Sequence, residues 1–447
     1  MIKNLDNILS DIKIKKNNLI FFSFMASYVG FLVIFKAGLV GSLSLIFIAL
    51  ITFYFSRYYK SLATILYVAL CVRLVVIFFG NYLGPLPDSM GDTGYFESKA
   101  WAWSQDGFFG VLSYYPSNKS SLLISWMYAF LYSLTGRSVI LLQSVSLLLG
   151  MGSVLLGSRL AHKIWSEEIS IKVGWILALY PTLVLYSCLV LREAYVWFFL
   201  LVALYGIVCW SKDGGFKSLI IIFIGFSGAT ISHGGMFVGG FVFLIILVLF
   251  YFIKIIKSLK FLKISINSLT ILSLLIITMF YLVSLDSIPK LGSVKRIFDF
   301  EQLVTEISNR NINRAAYPEW TIPKTSFELI YKAPIRIIYF IFSPFLWDIK
   351  KFSHLLGFFD GIFYLMLFIL FIKNFKSIWS NRSLRIIFII LASYLVAYGL
   401  GTGNFGTGIR HRTKFIIVAI LMVAPWIPKL VFFDKKQRNI NNKKSDL

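Results

Sequence analysis

Long apolar runs, separated by short polar connections, dominate the pattern of the chain. A helix needs about 20 mostly apolar residues to cross a bilayer, and only elements that satisfy their own backbone hydrogen bonds persist in lipid. The pattern therefore predicts an all-α fold, a polytopic transmembrane helix bundle that forms a single domain over residues 1–447. About twelve spans are expected, near 19–37, 40–56, 62–80, 139–158, 172–190, 194–210, 217–232, 236–253, 264–284, 355–372, 386–401 and 414–431.

Two further apolar segments, 120–135 and 333–347, are short, and Pro344 interrupts the second. Counting either one as a full span would put the basic segment 373–385 outside. We interpret both as interfacial or re-entrant elements on the outer face. Two large outer loops result, 81–138 and 286–354.

The basic residues indicate the orientation of the bundle. Every predicted inside segment is rich in lysine or arginine, including the tail from Lys429 to Lys444, whereas the turns near 38 and 233 are nearly free of charge. Since lysine and arginine accumulate on cytoplasmic loops, both termini are predicted to be cytoplasmic. The expected location is a bacterial inner membrane, with the active face in the periplasm.

Composition agrees with this interpretation. Hydrophobic residues make up 58% of the 447 residues and charged residues 14%, whereas a soluble domain has about 25% charged residues. The net charge of +24 follows from the topology, so nucleic acid is not an expected partner. The three cysteines lie in apolar runs and show neither a disulfide framework nor a metal-binding spacing.

The first outer loop, GPLPDSMGDTGYFESKAWAWSQDGFFG, is acidic. It places Asp88 and Asp92 just beyond a predicted span. A carboxylate there can act as general base for a sugar hydroxyl or bind a divalent metal, and we favour the base without a metal or other cofactor. The alternative is that both residues only shape a Pro/Gly turn.

Charged residues inside apolar stretches form the second signal. Arg192 and Glu193 lie in LYPTLVLYSCLVLREAYVWFF, and Arg73 lies deep in the third span. Such charges are costly in a membrane and tend to mark function or a paired partner. Alternatively, Arg192 extends to the headgroups and Glu193 pairs with it. Arg73 is expected to pair with a carboxylate such as Glu193 or Asp92.

The segment GLGTGNFGTGIRHRTK, before the last span, combines the glycines at 401, 403, 406 and 408 with Arg410, His411, Arg412 and Lys414. Arginine side chains and glycine-rich backbone amides both suit phosphate binding. Contact with lipid headgroups is the alternative. His233, in ISHGGM, is as well explained by a core or capping role as by catalysis.

All of these residues are predicted to lie at one face of the membrane. Carboxylates and arginines beside the lipid interface suit a substrate that carries a sugar, a phosphate and a long lipid tail. The predicted catalytic residues are Asp92, then Asp88, and His233; the predicted phosphate-binding residues are Arg192, Arg410, His411 and Arg412; and Glu193 and Arg73 are predicted to support them.

The acidic outer loop, followed by LTGRSVILLQSV and ALYPTLVLYSCLVLRE, resembles the GT-C superfamily of membrane glycosyltransferases over residues 85–210. That resemblance implies polyprenyl-linked sugar substrates and an acidic catalytic residue in the first outer loop. One feature departs from it: three spans precede the acidic loop, where many members have one.

The chain also resembles bacterial O-antigen polymerases of the Wzy type in its span number, its large outer loops and its outer arginines. The resemblance implies polymerisation of undecaprenyl-linked repeat units, with undecaprenyl-linked oligosaccharide, membrane lipid, a chain-length regulator and other polysaccharide-assembly proteins as partners. The alternatives are transfer of one sugar from a polyprenyl-phosphate donor, and flipping of a lipid-linked oligosaccharide. A transporter would be expected to have broken or charged helices in paired halves at the membrane midplane.

Overall fold

The computed structural model describes residues 2–34, 38–116, 122–259, 266–284, 299–310, 316–349 and 352–428. Within these ranges the regular structure is helical, apart from one antiparallel bridge between Ala316 and Asn404. The prediction of an all-α helical bundle is confirmed. The basic tail from Lys429 to Lys444 lies outside the described residues.

The helices of the first half run in chain order as follows: α1 Ile2–Ile34, α2 Leu39–Tyr58, α3 Ala63–Tyr82, α4 Gly94–Ser104, α5 Gly107–Gly110, α6 Leu123–Thr135, α7 Val139–Ile164, α8 Glu167–Leu179, α9 Pro181–Ser187 and α10 Glu193–Asp213. Those of the second half are α11 Phe216–Ser232, α12 Phe237–Leu259, α13 Ile266–Ser284, α14 Phe300–Arg310, α15 Ser326–Phe342, α16 Phe352–Lys373, α17 Phe375–Ser380, α18 Arg382–Gly401 and α19 Phe405–Val423.

Several of these helices suit a bilayer. Within the described residues, six are long and apolar enough to cross a membrane, and the bent pair of α8 and α9 makes a seventh if it counts as one span. The six are Leu39–Tyr58, Lys60–Tyr82, Val139–Ile164, Glu193–Asp213, Gly234–Leu259 and Arg382–Gly401. The chain is therefore suited to a membrane, and the larger number of about twelve spans remains a prediction.

The predicted span 172–190 is not one continuous helix. The chain bends by 61° between α8 and α9, at Pro181, which lacks the N–H that would continue the helix and disfavours helical geometry at Tyr180. After α9, residues 188–192 form bends that lead to Glu193, the first residue of α10. The break therefore places Arg192 and Glu193 at the N-terminal end of α10.

Helix α10 lies at the centre of the bundle, against α7 and α11. Its contact with α11 is very close: a Cβ on Gly225 would lie 2.3 Å from the backbone nitrogen of Ala203. Only glycine permits this approach, and such small-residue contacts are common between membrane helices. The N-terminus of α10 is thereby held by its packed neighbours.

Basic residues lie at the C-terminal end of α10 and in the N-terminal half of α8. Lys212 donates to the Lys163 carbonyl at 2.7 Å, and Lys172 donates to the carbonyls of Ala424, Pro425 and Ile427. These lysines stabilise the C-terminal ends of helices, where unpaired carbonyls collect. They lie at the end of the bundle opposite Glu193, and the orientation of that end towards the cytoplasm stays a prediction.

The first predicted outer loop, 81–138, is largely helical. Glu97 of α4 is buried and accepts two bonds from Arg137, at 2.9 and 2.8 Å, and one from Tyr132 at 3.0 Å. This carboxylate raises the pKa of Arg137 by hydrogen bonding. The three residues tie α4 to the junction of α6 and α7, and thus fix the segment that carries Asp88 and Asp92.

The segments 120–135 and 333–347 are helical in part. Residues 120 and 121 lie outside the described ranges; α6 has 13 residues, fewer than a straight span needs. Helix α15 contains Pro334 and ends at Phe342. Of the second predicted loop, 286–354, residues 286–298, 311–315, 350 and 351 lie outside the described ranges.

Candidate functional site

Charged residues from three distant parts of the sequence meet at the N-terminus of α10. Arg410, in the first turns of α19, donates from Nε to Glu193 at 2.7 Å and from Nη1 to Asp92 at 2.5 Å. Lys414 Nζ lies 3.8 Å from the same Glu193 oxygen. Glu193 and Lys414 are buried, whereas half of the Asp92 side chain is exposed. The site is therefore closed at Glu193 and open at Asp92.

Arg192 lies beside this ion pair and is 7% exposed. Its Nε and Nη1 atoms are buried and have no hydrogen-bond partner within the described part of the chain. The guanidinium lies 5.3 Å from the centre of the Phe96 ring and interacts electrostatically with Glu193, Arg410 and Asp92. A buried charge without hydrogen bonds is costly. Arg192 is thus suited to receive an anionic group.

Asp88 lies at the same place, where Tyr186 of α9 donates to its carboxylate at 2.8 Å. Its backbone has a φ of +61°, a left-handed conformation that aspartate adopts more readily than most residues. The turn therefore suits a short polar residue, and the Tyr186 hydroxyl that bonds its carboxylate also interacts electrostatically with Glu193 and Arg410. Asp88, Asp92, Arg192, Glu193, Arg410 and Lys414 form what we call the charged cluster.

Two histidines flank the charged cluster. His233 ends α11, and its Nδ1 lies 2.8 Å from the Tyr398 hydroxyl, which leaves the donor undetermined between them. His411 Nδ1 accepts from Lys414 at 2.7 Å, and its ring lies 5.3 Å from that of His233. His411 is therefore a partner of Lys414, and His233 contacts the His411 ring.

Arg412 was predicted to bind phosphate, but its geometry favours a structural role. It is fully buried; Nε donates to Asp360 at 2.7 Å, and the other nitrogens donate to the carbonyls of Ile341, Ser343 and Gly357. Asp360 also accepts from Tyr180. Because consecutive helical residues point about 100° apart, Arg410 and Arg412 face different neighbours. We therefore place Arg412 outside the charged cluster.

Within the described residues Arg73 bonds to no carboxylate, so the expectation that it pairs with Glu193 or Asp92 is wrong. It donates to the carbonyls of Leu177 and Ala178, at 3.2 and 2.9 Å, and to the Ser187 hydroxyl at 2.9 Å. These groups lie at the break between α8 and α9, where the helix end leaves carbonyls unpaired. Arg73 therefore stabilises the break that positions Arg192.

Sequence reasoning missed Tyr186, Tyr398 and Asp360. Asp360 is an acidic residue within an apolar run, which is a recognisable signal of a charged partner. The two tyrosines resemble the many other aromatic residues of the chain, so no sequence signal distinguishes them.

The charged cluster contains three carboxylates and three cations. Within the described residues, no group of three or more His, Cys, Asp or Glu side chains lies close enough to bind a metal ion. The buried guanidinium of Arg192 can bind an anion, and the exposed Asp92 can accept a proton. Comparisons with known protein families, characterised proteins and solved structures find no match to this chain.

Proposed function

We propose that the chain is a membrane glycosyltransferase that acts on undecaprenyl-linked sugars at the periplasmic face, in the biosynthesis of a surface polysaccharide. The observation that carries the proposal is the charged cluster, in which residues from positions 88–92, 192–193 and 410–414 meet. Among them is the buried Arg192 guanidinium, whose Nε and Nη1 atoms have no hydrogen-bond partner within the described residues. Six helices of the described residues are long and apolar enough to cross a membrane, which suits a substrate with a lipid tail.

In the proposed reaction, Arg192 and Arg410 bind the phosphate that links the sugar to its lipid. An acceptor hydroxyl oxygen forms a bond to the anomeric carbon, and the bond from that carbon to the phosphate oxygen breaks. The electron pair stays on the phosphate, where the guanidinium groups stabilise the charge. Asp92 takes the hydroxyl proton, and Asp88 is the second candidate for this base.

Repeat-unit polymerisation is the favoured subtype, on the resemblance to O-antigen polymerases. Transfer of a single sugar from a polyprenyl-phosphate donor uses the same cluster and is the alternative within this class. A flippase is less favoured because the charged cluster lies at the N-terminal end of α10 rather than halfway along the helix.

Deletion of the gene distinguishes these functions. Loss of a polymerase leaves surface glycan with one repeat unit on its acceptor, seen as a single band instead of a ladder. A core without any repeat unit contradicts polymerisation and favours the single-sugar transferase or the flippase.

Complementation of the deletion strain tests the base. Asp92→Asn should abolish the ladder at normal protein level, since a positioned base contributes about 10²–10⁴-fold. Asp106→Asn is the matched control, because Asp106 bonds to Tyr114 within the same loop and lies outside the charged cluster. If Asp92→Asn and Asp88→Asn both retain wild-type ladders, the carboxylate mechanism is wrong.

A further inference from the structure

Asp92 and Arg410 already bind each other, although the proposed function requires both to act on substrate. Arg410 donates from Nη1 to Asp92 and from Nε and Nη2 to Glu193. The Arg410 hydrogen that bonds Asp92 is not available to a phosphate oxygen, and the Asp92 oxygen that accepts it faces the guanidinium rather than an acceptor hydroxyl. While this ion pair persists, neither Asp92 nor the bonded Arg410 nitrogen is available to substrate.

The two carboxylates that hold Arg410 differ in burial. Glu193 is 1% exposed and has Lys414 as a second cationic neighbour, whereas the Asp92 side chain is 52% exposed. Glu193 is fixed at the start of a packed helix, and Asp92 lies in a short turn before α4. An arriving anion would therefore displace Asp92 and leave the bond between Arg410 and Glu193 in place.

The charge balance leads to the same exchange. Three carboxylates oppose Arg192, Arg410 and Lys414, so an added phosphate would give the site a net negative charge in a region of low dielectric. Transfer of the Arg410 contact from Asp92 to phosphate moves one carboxylate towards solvent. The orphaned nitrogens of Arg192 supply the second contact for the same anion.

We propose that Asp92 is a placeholder for the lipid-linked phosphate: the phosphate takes the Arg410 bond, and Asp92 becomes free to act as base only when substrate is bound. This inference rests on the proposed function. It links base activation to occupancy, because a site without substrate keeps the carboxylate paired. Asp92 is thereby a determinant of substrate affinity as well as of turnover.

Binding of undecaprenyl phosphate to the full chain in nanodiscs tests the exchange. Asp92→Asn removes the competing charge, so the lipid should bind about fivefold more tightly, the factor that corresponds to about 1 kcal/mol for a half-exposed ion pair. Asp106→Asn is the matched control: it removes the same charge within the same loop, but its carboxylate accepts from Tyr114 and lies outside the charged cluster. Its affinity should stay within a factor of two of wild type. Asp92→Ser provides a second variant if Asp92→Asn folds poorly.

The outcomes separate the inference from the proposed function. Unchanged affinity in Asp92→Asn and Asp92→Ser, with normal binding by wild type, overturns the placeholder and leaves the proposed function standing. Equal tightening in Asp92→Asn and Asp106→Asn also overturns it, because general charge repulsion would then explain the gain. No binding by wild type overturns both.

Discussion

Replacement of Arg410 by glutamine leaves the buried Glu193 carboxylate with Lys414, 3.8 Å away, and the adjacent Arg192 as cationic neighbours. Removing one member of a buried ion pair costs about 3–5 kcal/mol. Because Lys414 compensates in part, we expect Arg410→Gln to lose about 3 kcal/mol of unfolding free energy. Glu193→Gln should lose less, about 1–2 kcal/mol, because Arg410 is partly exposed and keeps Asp92.

The double variant gives the sharper expectation. With both charges removed, two glutamine amides can bond to each other, so the double variant should be more stable than Arg410→Gln alone. The expected coupling is about 2 kcal/mol, within the range measured for residues in contact. Activity should not recover with stability. The double variant lacks the guanidinium that binds phosphate, so we expect no transfer activity.

Unfolding by SDS titration in mixed micelles measures the four proteins of this cycle, with glycosyl transfer measured on the same samples. If the losses of the two single variants add in the double variant to within about 0.5 kcal/mol, the pair contributes no coupling. The contact between Arg410 and Glu193 would then contribute no measurable stability, which would contradict its role in holding the charged cluster together. If activity returns with stability, Arg410 serves the fold alone.

Three further substitutions test the supporting structure. Arg73→Ala should cost about 3 kcal/mol in SDS titration, because buried carbonyls at the break of α8 and α9 lose their donor; stability equal to wild type contradicts that role. Glu97→Gln should raise the rate of hydrogen exchange in α4 about fivefold, because the ion pair with the half-exposed Arg137 contributes about 1 kcal/mol. An unchanged rate would contradict the role of this pair in holding α4 against α7. Asp360→Asn leaves Arg412 buried without its carboxylate, so the amount of folded protein should fall while turnover per folded molecule stays near wild type; a loss confined to turnover would return Arg412 to the reaction.

Helix locations were predictable because they depend on local apolar runs. The bend of 61° within the predicted span 172–190 was not predicted, because Pro181 lies within an apolar run whose composition hides the break. The number of spans depends on where the boundaries of the bilayer lie, and composition locates these only approximately. The number of about twelve spans therefore remains a prediction.

The residues of the charged cluster were predictable because charges within apolar sequence are expensive and few. Their contacts were less predictable. Asp92 meets Arg410, 318 positions away in sequence, and no local pattern encodes that distance. The same limit explains why Arg412 was grouped with Arg410: the sequence shows neighbours, whereas the helical turn directs one side chain to Asp360 and the other to Glu193.

Transfer by the purified chain is the most direct test of the central claim, that the charged cluster binds and activates an undecaprenyl-linked sugar. The chain in nanodiscs would receive a radiolabelled undecaprenyl-pyrophosphate repeat unit, and lengthened lipid-linked product would be separated by chromatography. Wild type should form product, and Arg192→Ala should form about 10- to 100-fold less, since a charged hydrogen bond is worth about 1.5–3 kcal/mol. Equal product from Arg192→Ala and wild type would contradict the claim.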